Sequence, residues 1–346
     1  RKMSKYMTRA SRRAFAAPAV NPTTTYAGER AAPYVAPALK MAKTLTEGWV
    51  RQIDGIQSKA VISSLSSTGV LVAANCDWNS TDSLTLGERV LELTDIAVME
   101  ALCRGTLLPT WAGMTGARET MTAGNPEFVT FSMATVAGYA AQGVENTIWK
   151  GGLANGFLSN DGEFNNAGYR ASILAAGGTE TAPVALEKVV TAAGFSAANI
   201  GLSTGAFHEA YNKAVAGNSA ILDKQDVAFY CSTQTAGNLM QFLGQSGSNQ
   251  GVNMAGVNQG FPSLQYLGIP IHVCPGMANE ALVLTYEDNL VVGSNLATDY
   301  TSAQYIDAWQ YDGSDNVKIA MRFGLGMQVG IPGDCVVAAY DAVIGD

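Results

Sequence analysis

The residues able to do chemistry are few. Histidine occurs twice, as His208 and His272, which leaves little for general acid–base catalysis, where imidazole is the commonest group. His272 stands two residues before Cys274 in an apparent strand, a spacing that turns both side chains to one face. The pair has the composition of a thiol nucleophile with its base, but Pro275 and the apolar flanks predict a packed strand instead. His208, beside Glu209 on a predicted helix, reads as a surface or structural histidine. The stretch Gly324-Leu-Gly326-Met-Gln-Val-Gly330 has the look of a dinucleotide loop. Its spacing is wrong, however, and Ile331-Pro332-Gly333-Asp334 cannot open the helix such a loop needs. Asp312-Gly-Ser-Asp315-Asn316 is rich in oxygen ligands but lacks calcium-loop spacing and a closing Glu, so a tight turn is expected.

The five cysteines, Cys76, Cys103, Cys231, Cys274 and Cys335, are odd in number, scattered and never spaced as CxxC. Neither a disulfide framework nor a zinc site follows, and folding in a reducing cytoplasm is expected. No metal, no cofactor and no enzymatic activity are anticipated.

What surrounds these residues is a chain of 346 residues with 47% hydrophobic and only 14% charged side chains, against about 25% charged in an ordinary soluble protein. So little charge predicts a surface largely buried against neighbours. No apolar run approaches the roughly 20 residues that span a bilayer, so no membrane is expected. The net charge of −8 hides an asymmetry, because Arg1, Lys2, Lys5, Arg9, Arg12 and Arg13 all precede the first acid, Glu29. Such a basic arm suits phosphate or an acidic neighbour. A targeting peptide is the alternative, although the helical periodicity it would need is weak. The chain starts at Arg1 instead of Met, as a fragment or a processed product would.

Residues 1–45 carry Pro18, Pro22, Pro33 and Pro37, which favour extended backbone with little to bury locally. From residue 52 the signals are of strands and turns. Residues 56–65 read as a strand, Ser66-Ser67-Thr68-Gly69 as a turn and residues 70–74 as a further strand. A polar stretch over 75–83 follows, and then a return through Leu84, Leu86, Val90, Leu91 and Leu93. So long a hairpin must lie on something else, since an isolated one is marginal in water. Thr94 or Asp95 is expected to cap a short helix through Ile96, Met99 and Cys103.

The clearest element follows. Asn125 and Pro126 open a helix, Val129, Met133, Val136, Ala140, Val144 and Ile148 recur at helical spacing, and Gly151-Gly152 stop it. Residues 152–180, rich in Gly and Asn, read as loop or short hairpin. A helix is expected from Thr181-Ala182-Pro183 to Gly194, and another through Phe207, Tyr211, Ala214 and Val215. Residues 226–232 read as a strand, 234–243 as a helix and 244–260 as a loop. Strands are expected at 268–273, 281–285, 303–310, 317–323 and 335–340, with Asp312-Gly313 as a hairpin signal.

This order of parts, together with Glu145-Asn-Thr-Ile-Trp-Lys-Gly-Gly152, Tyr266-Leu-Gly-Ile-Pro-Ile-His-Val-Cys-Pro-Gly-Met277 and Glu287-Asp-Asn-Leu-Val-Val-Gly-Ser-Asn-Leu-Ala-Thr-Asp299, resembles the Hong Kong 97-type major capsid proteins of tailed, double-stranded DNA phages. The layout matches over nearly the whole chain, the wording only in these stretches. The resemblance implies an α+β fold with an N-terminal arm (1–45) and an extended β-hairpin loop (46–94). It further implies a peripheral domain (95–160 and 286–330) with a spine helix at 126–150, and a mixed α/β axial domain (161–285 and 331–346). It implies a non-enzymatic coat subunit that builds pentamers and hexamers of an icosahedral head in the bacterial cytoplasm. Its partners would be further copies of itself, portal, decoration or scaffolding proteins, and packaged double-stranded DNA bound without sequence preference. Loss of an N-terminal segment to a maturation protease would then account for a start at Arg1. A fragment boundary accounts for it equally.

Some members of that family weld subunits through a Lys–Asn isopeptide bond. Lys59, the lysine of residues 46–94, and Asn316, near the tip of the closing hairpin, are the matching candidates. No buried carboxylate to catalyse the bond is identifiable, so non-covalent contact is expected. Val70, Val72 and Trp78 are the expected apolar contacts of the hairpin with a neighbour. The rivals are an encapsulin-like shell around protein cargo and a soluble α/β enzyme.

Overall fold

The computed structural model describes residues 23–27, 42–66, 85–103, 126–154, 156–158, 186–187, 192–217, 219–245, 264–295, 302–309 and 313–339. Its longest helix runs from Pro126 to Lys150 and is called α2, after a short helix α1 (Lys43–Thr46). Proline is tolerated in the first turn because its missing N–H has no helical partner there. At the other end the Gly151 N–H closes on the Thr147 carbonyl at 3.0 Å, and Gly151 and Gly152 take φ of +77° and +110°, a left-handed exit that favours glycine. Twenty-five residues make a rod about 37 Å long. Its buried stripe is Val129, Met133, Val136, Val144 and Ile148, as the spacing predicts, widened by Ala137, Ala141 and Trp149.

Two sheets share this helix. The first is ordered β1 (Thr23–Ala27), β12 (Ser302–Asp307), β13 (Asn316–Val329), β11 (Leu290–Ser294), β2 (Arg51–Ile53), with β5 (Thr94–Cys103) also on β13. The second is ordered β6 (Leu186–Glu187), β14 (Val336–Ala339), β10 (Ala281–Tyr286), β7 (Val227–Cys231), β9 (Ile269–Val273), β8 (Gln265–Tyr266). A separate ribbon pairs β3 (Lys59–Ser66) with β4 (Thr85–Glu92).

Alternation in the second sheet decides where the core lies. Tyr230 and Val283 face α2 and the first sheet, in one cluster with Trp149, Val292, Tyr305 and Ile319. Their neighbours Phe229, Cys231, Leu282 and Leu284 face the other way, onto α3 (Ala206–Gly217) and α4 (Thr233–Gln245) through Phe207, Ala210 and Leu239. Covered on both faces, β7 and β10 are continuous apolar runs instead of alternating ones.

Three sequence expectations change. Residues 94–103 are not a capped helix but strand β5, paired with β13 from Thr94↔Leu325 to Asn316↔Cys103. The run satisfies a helical and an alternating period alike, and the partner strand selects the second: Ile96 is buried, whereas Met99 is 70% exposed. The helix expected between residues 181 and 194 is absent over its described part. Leu186–Glu187 form β6, parallel to β14, because that sheet edge offers bonds a short helix cannot match, and Ala192–Phe195 form a single 3-10 turn. The strand expected at 317–323 extends to Val329 through Gly324 and Gly326. The loop segments 159–180 and 246–260, and Asn125, lie outside the described residues.

The chain crosses from β10 to β11 through a 3-10 turn, Glu287–Asn289, and returns from β13 to β14 through residues 330–335. Asn289 fastens the two crossings together. Its Oδ1 accepts from the Ile331 N–H (2.7 Å), while its Nδ2 donates to Thr285 Oγ1 (3.0 Å) and to the Ile331 carbonyl (3.0 Å). Burying backbone groups without partners is costly. Asn289→Ala is therefore expected to lower the stability of the folded chain by about 2 kcal/mol, read as a shift of the urea midpoint with unchanged slope; a shift under a quarter of that would show that the crossings hold without it.

Candidate functional site

The three stretches that carry the family resemblance meet at one place. The carboxyl group of Glu145, only 4% exposed, accepts from the Thr44 N–H at 3.0 Å and from the Thr44 hydroxyl. The same hydroxyl accepts from Trp149 Nε1 at 3.0 Å. Helix α1 is thereby fixed to the end of α2. Gly276 completes the contact from the third side, since a Cβ there would stand 2.2 Å from the Glu145 carbonyl oxygen. A few residues on, the Trp49 carbonyl accepts from the Tyr230 hydroxyl at 2.8 Å. The Trp49 ring stacks on His272 at 4.6 Å and 16°, with the Lys43 ammonium over it at 5.2 Å.

The electrostatics of this junction suit packing. Burial, and after it the Lys43 ammonium, hold His272 down to about 4. Its Nε2 lies 3.4 Å from Glu287 Oε1. The Glu287 carboxyl is itself raised, by burial first and then by Asp226 and Asp288. Burial raises the Cys274 thiol well above its ordinary value, with Glu145 adding to the effect, and pushes Cys231 up to about 12. A thiol held protonated is no nucleophile, so His272 and Cys274 form a packed strand end, as the apolar flanks predict. His208 Nδ1 faces the Tyr266 hydroxyl at 3.5 Å. Among the described residues no group of His, Cys, Asp and Glu could hold a metal ion, and no helix is long and apolar enough to cross a membrane.

From the junction the chain passes through β2 to the ribbon. Leu91, fully buried, packs with Ile56 and Val291 beneath the ribbon, and Ala60, Ile62 and Leu93 close around them. Glycines admit this approach: a Cβ on Gly293 would lie 2.6 Å from Leu91 Cδ2, and one on Gly326 would lie 2.2 Å from the Glu92 carbonyl oxygen. Gln328 Nε2 adds a bond to the Val90 carbonyl at 2.8 Å. The glycines that resemble a nucleotide loop thus serve close packing. Ile56, expected to start the strand, is instead part of the anchorage, its N–H bonded to the Ser294 carbonyl at 3.0 Å.

The opposite face of the ribbon is bare. Val61 pairs with Val90, and Leu86 stands four residues before Val90 on the same strand, so these three share one side. Val61 is 62%, Leu86 60% and Val90 45% exposed. Sequence reasoning missed this patch because Val61, Leu86 and Val90 sit in an ordinary strand alternation; only the burial of Leu91 on the other side reveals which face is left over. Of the expected contact residues, Val70, Val72 and Trp78 lie outside the described residues, as do Arg1, Lys2, Lys5, Arg9, Arg12 and Arg13. Lys59 is at the ribbon base, ion-paired with Glu92. Asn316 begins β13, opposite Cys103. Thr94, just past Glu92, pairs with Leu325, which puts Lys59 and Asn316 about 30 Å apart at the rise of a strand; the structure does not bring them together within one chain.

No protein-family model matches the chain, and no curated protein matches its sequence. Solved structures do. The chain is similar to the capsid of the native GTA particle computed with C5 symmetry (13% identity, 87% of this chain and 88% of that one, TM-score 0.54). It is similar also to the capsid of the empty GTA particle (13%, 86% and 88%, 0.51). A third likeness is to the satellite phage P4 procapsid that includes the size determination (Sid) protein (11%, 87% and 96%, 0.52). The mixed α/β chain has the fold of phage major capsid proteins.

The junction makes a prediction about acid. Because the folded His272 titrates near 4 and an unfolded one near 6.5, the native state binds fewer protons between those values. Stability should therefore fall as pH drops from about 6.5 towards 4, by about 2 kcal/mol from this group. His272→Phe, which keeps a ring on Trp49 but carries no proton, should remove that part of the acid loss; equal losses for both proteins, by urea unfolding at pH 7 and pH 4.5, would assign it to other groups.

Proposed function

We propose that the chain is a coat subunit that assembles with copies of itself into pentamers and hexamers of an icosahedral head around double-stranded DNA, and so resides in the virion. The bare apolar face of the β3–β4 ribbon carries this reading. A ribbon anchored at its base through Leu91 and leaving Val61, Leu86 and Val90 in water suits an element that lies on another subunit. Exposed apolar area of this kind marks contact surfaces. The fold supports the same reading, and with it the division into arm (1–45), extended loop (46–94), peripheral domain (95–160 and 286–330) and axial domain (161–285 and 331–346). Portal, scaffolding or decoration proteins would be further partners, and assembly would take place in the host cytoplasm.

In such a head the subunit contacts are heterologous and close rings of five or six. At about 25 cal/mol per Å² of apolar area, a modest patch repeated around every subunit stabilises the whole shell. The body is acidic, which suits DNA that must slide past it during packaging. Only the arm concentrates positive charge.

Two experiments test the reading. Val61→Lys, Leu86→Lys and Val90→Glu, made together, should leave the monomer's thermal stability nearly unchanged, since each site faces water, while electron microscopy shows subunits or capsomers in place of shells; normal shells would remove the ribbon from assembly. For the arm, replacing Arg9, Arg12 and Arg13 by Gln should flatten the dependence of log K for DNA on log salt by about 2 to 3, at about 0.9 per phosphate contact. An unchanged slope would place those arginines against protein. The nucleic-acid content of purified shells separates this reading from a protein-cargo container.

A further inference from the structure

Among the described residues two non-glycine positions take positive φ, Asp226 (+60°) and Leu267 (+49°). Aspartate is enriched in that region, whereas leucine is rare there and strained, because its Cβ crowds the following carbonyl oxygen. Leu267 and Gly268 (φ +83°) form the two-residue loop between β8 and β9, where Tyr266 pairs with Ile269. A hairpin loop with φ above zero at both positions has Asn-Gly as its usual, unstrained solution. Leucine gains little inside the chain in return. It is 60% exposed, and a Cβ on Gly268 would meet no atom within 4 Å, so the tip stands clear of the described residues. Its base is fixed. The Tyr266 ring packs against Phe207 at 5.4 Å and Phe229 at 6.1 Å, and the Ile271 N–H donates to the Leu264 carbonyl at 3.0 Å. A rigid hairpin therefore holds a strained leucine out into water.

We propose that Leu267 is a contact residue, by which the β8–β9 tip of one copy of this chain seats on an uncharged, apolar surface of another. The inference rests on the coat reading for the identity of the partner and adds a contact separate from the ribbon. Charge selects that partner. Between Asp226 and Glu280 the sequence holds no Asp, Glu, Lys or Arg, so the tip and both its strands offer no ion pair to a phosphate backbone or to a basic segment. Each copy carries a net charge of −8, and like-charged copies meet with least repulsion where neither brings charge to the contact. Covering Leu267 removes apolar area from water, and little entropy is lost because the hairpin is already ordered. Asparagine would suit the turn better and offer no such area. Backbone strain kept at an exposed tip is of the kind found where a contact depends on it.

The test separates the needs of the fold from those of the contact. Leu267→Asn and Leu267→Gly both suit the left-handed backbone. Unfolded with urea as dissociated, full-length subunits, each should show a folding equilibrium constant raised about three- to tenfold. In assembly, followed by sedimentation and electron microscopy, both should need about tenfold more subunit to form shells. Leu267→Met keeps an apolar side chain at the tip and should assemble as the parent chain does. Gained stability with lost assembly is the signature of a residue kept for a partner. Variants that gain stability and still assemble at the parent's concentration overturn the proposal. Variants less stable than the parent overturn it too, because Leu267 then serves its own fold; in both cases the coat reading stands. A parent chain that forms no shells overturns the coat reading, and this contact with it.

Discussion

A carboxyl group buried in the last turns of a long helix is an awkward thing to keep, because the helix dipole there favours positive charge. Glu145 is held by Thr44, which supplies both its N–H and its hydroxyl. The rest follows from that contact. Thr44 brings α1 onto α2, α1 brings Trp49 onto His272 and Tyr230, and the chain leaving Trp49 enters β2 beside β11. Only then does the ribbon have a base to stand on. One polar contact in an apolar core thus sets the position of an element whose outer face is left in water.

The approach of the ribbon to the sheet is a matter of missing side chains. Gly293 and Gly326 lie on paired residues of β11 and β13, and a methyl group at either would displace Leu91 or the Glu92 backbone. The ribbon is consequently seated by shape as much as by attraction. Its underside is committed to the chain's own core, and its upper side is left in water.

Helix α2 was legible because every local signal agreed: a proline at the start, a regular apolar spacing, two glycines at the end. Strand β5 was not, since Ile96, Met99 and Cys103 fit a helix while Ile96, Val98 and Leu102 fit a strand, and the partner that decides lies more than two hundred residues away. The full length of β13 was hidden for a related reason. Gly324, Gly326 and Gly330 resemble a break in the strand until the backbone packed against them is known. The Glu145–Thr44 contact has no local signature, although the family-like stretches turn out to be the ones that meet there. The bare ribbon face could be located only once Leu91 showed which side was taken.

The sequence separation of these contacts has a consequence in time. Residues 51–53 pair with residues 291–293, Asp54 meets Ser294, and Gln328 holds the Val90 carbonyl. During synthesis the ribbon leaves the ribosome early, yet its footing is made from residues more than two hundred positions further on. Such long-range pairing is slow, and chains emerge at about 5–20 residues per second. A chain made only to its middle therefore has a ribbon but no fixed direction in which to point it. The ribbon is therefore placed only after residues 291–328 have been made, and a chain that stops short of them leaves it without a footing.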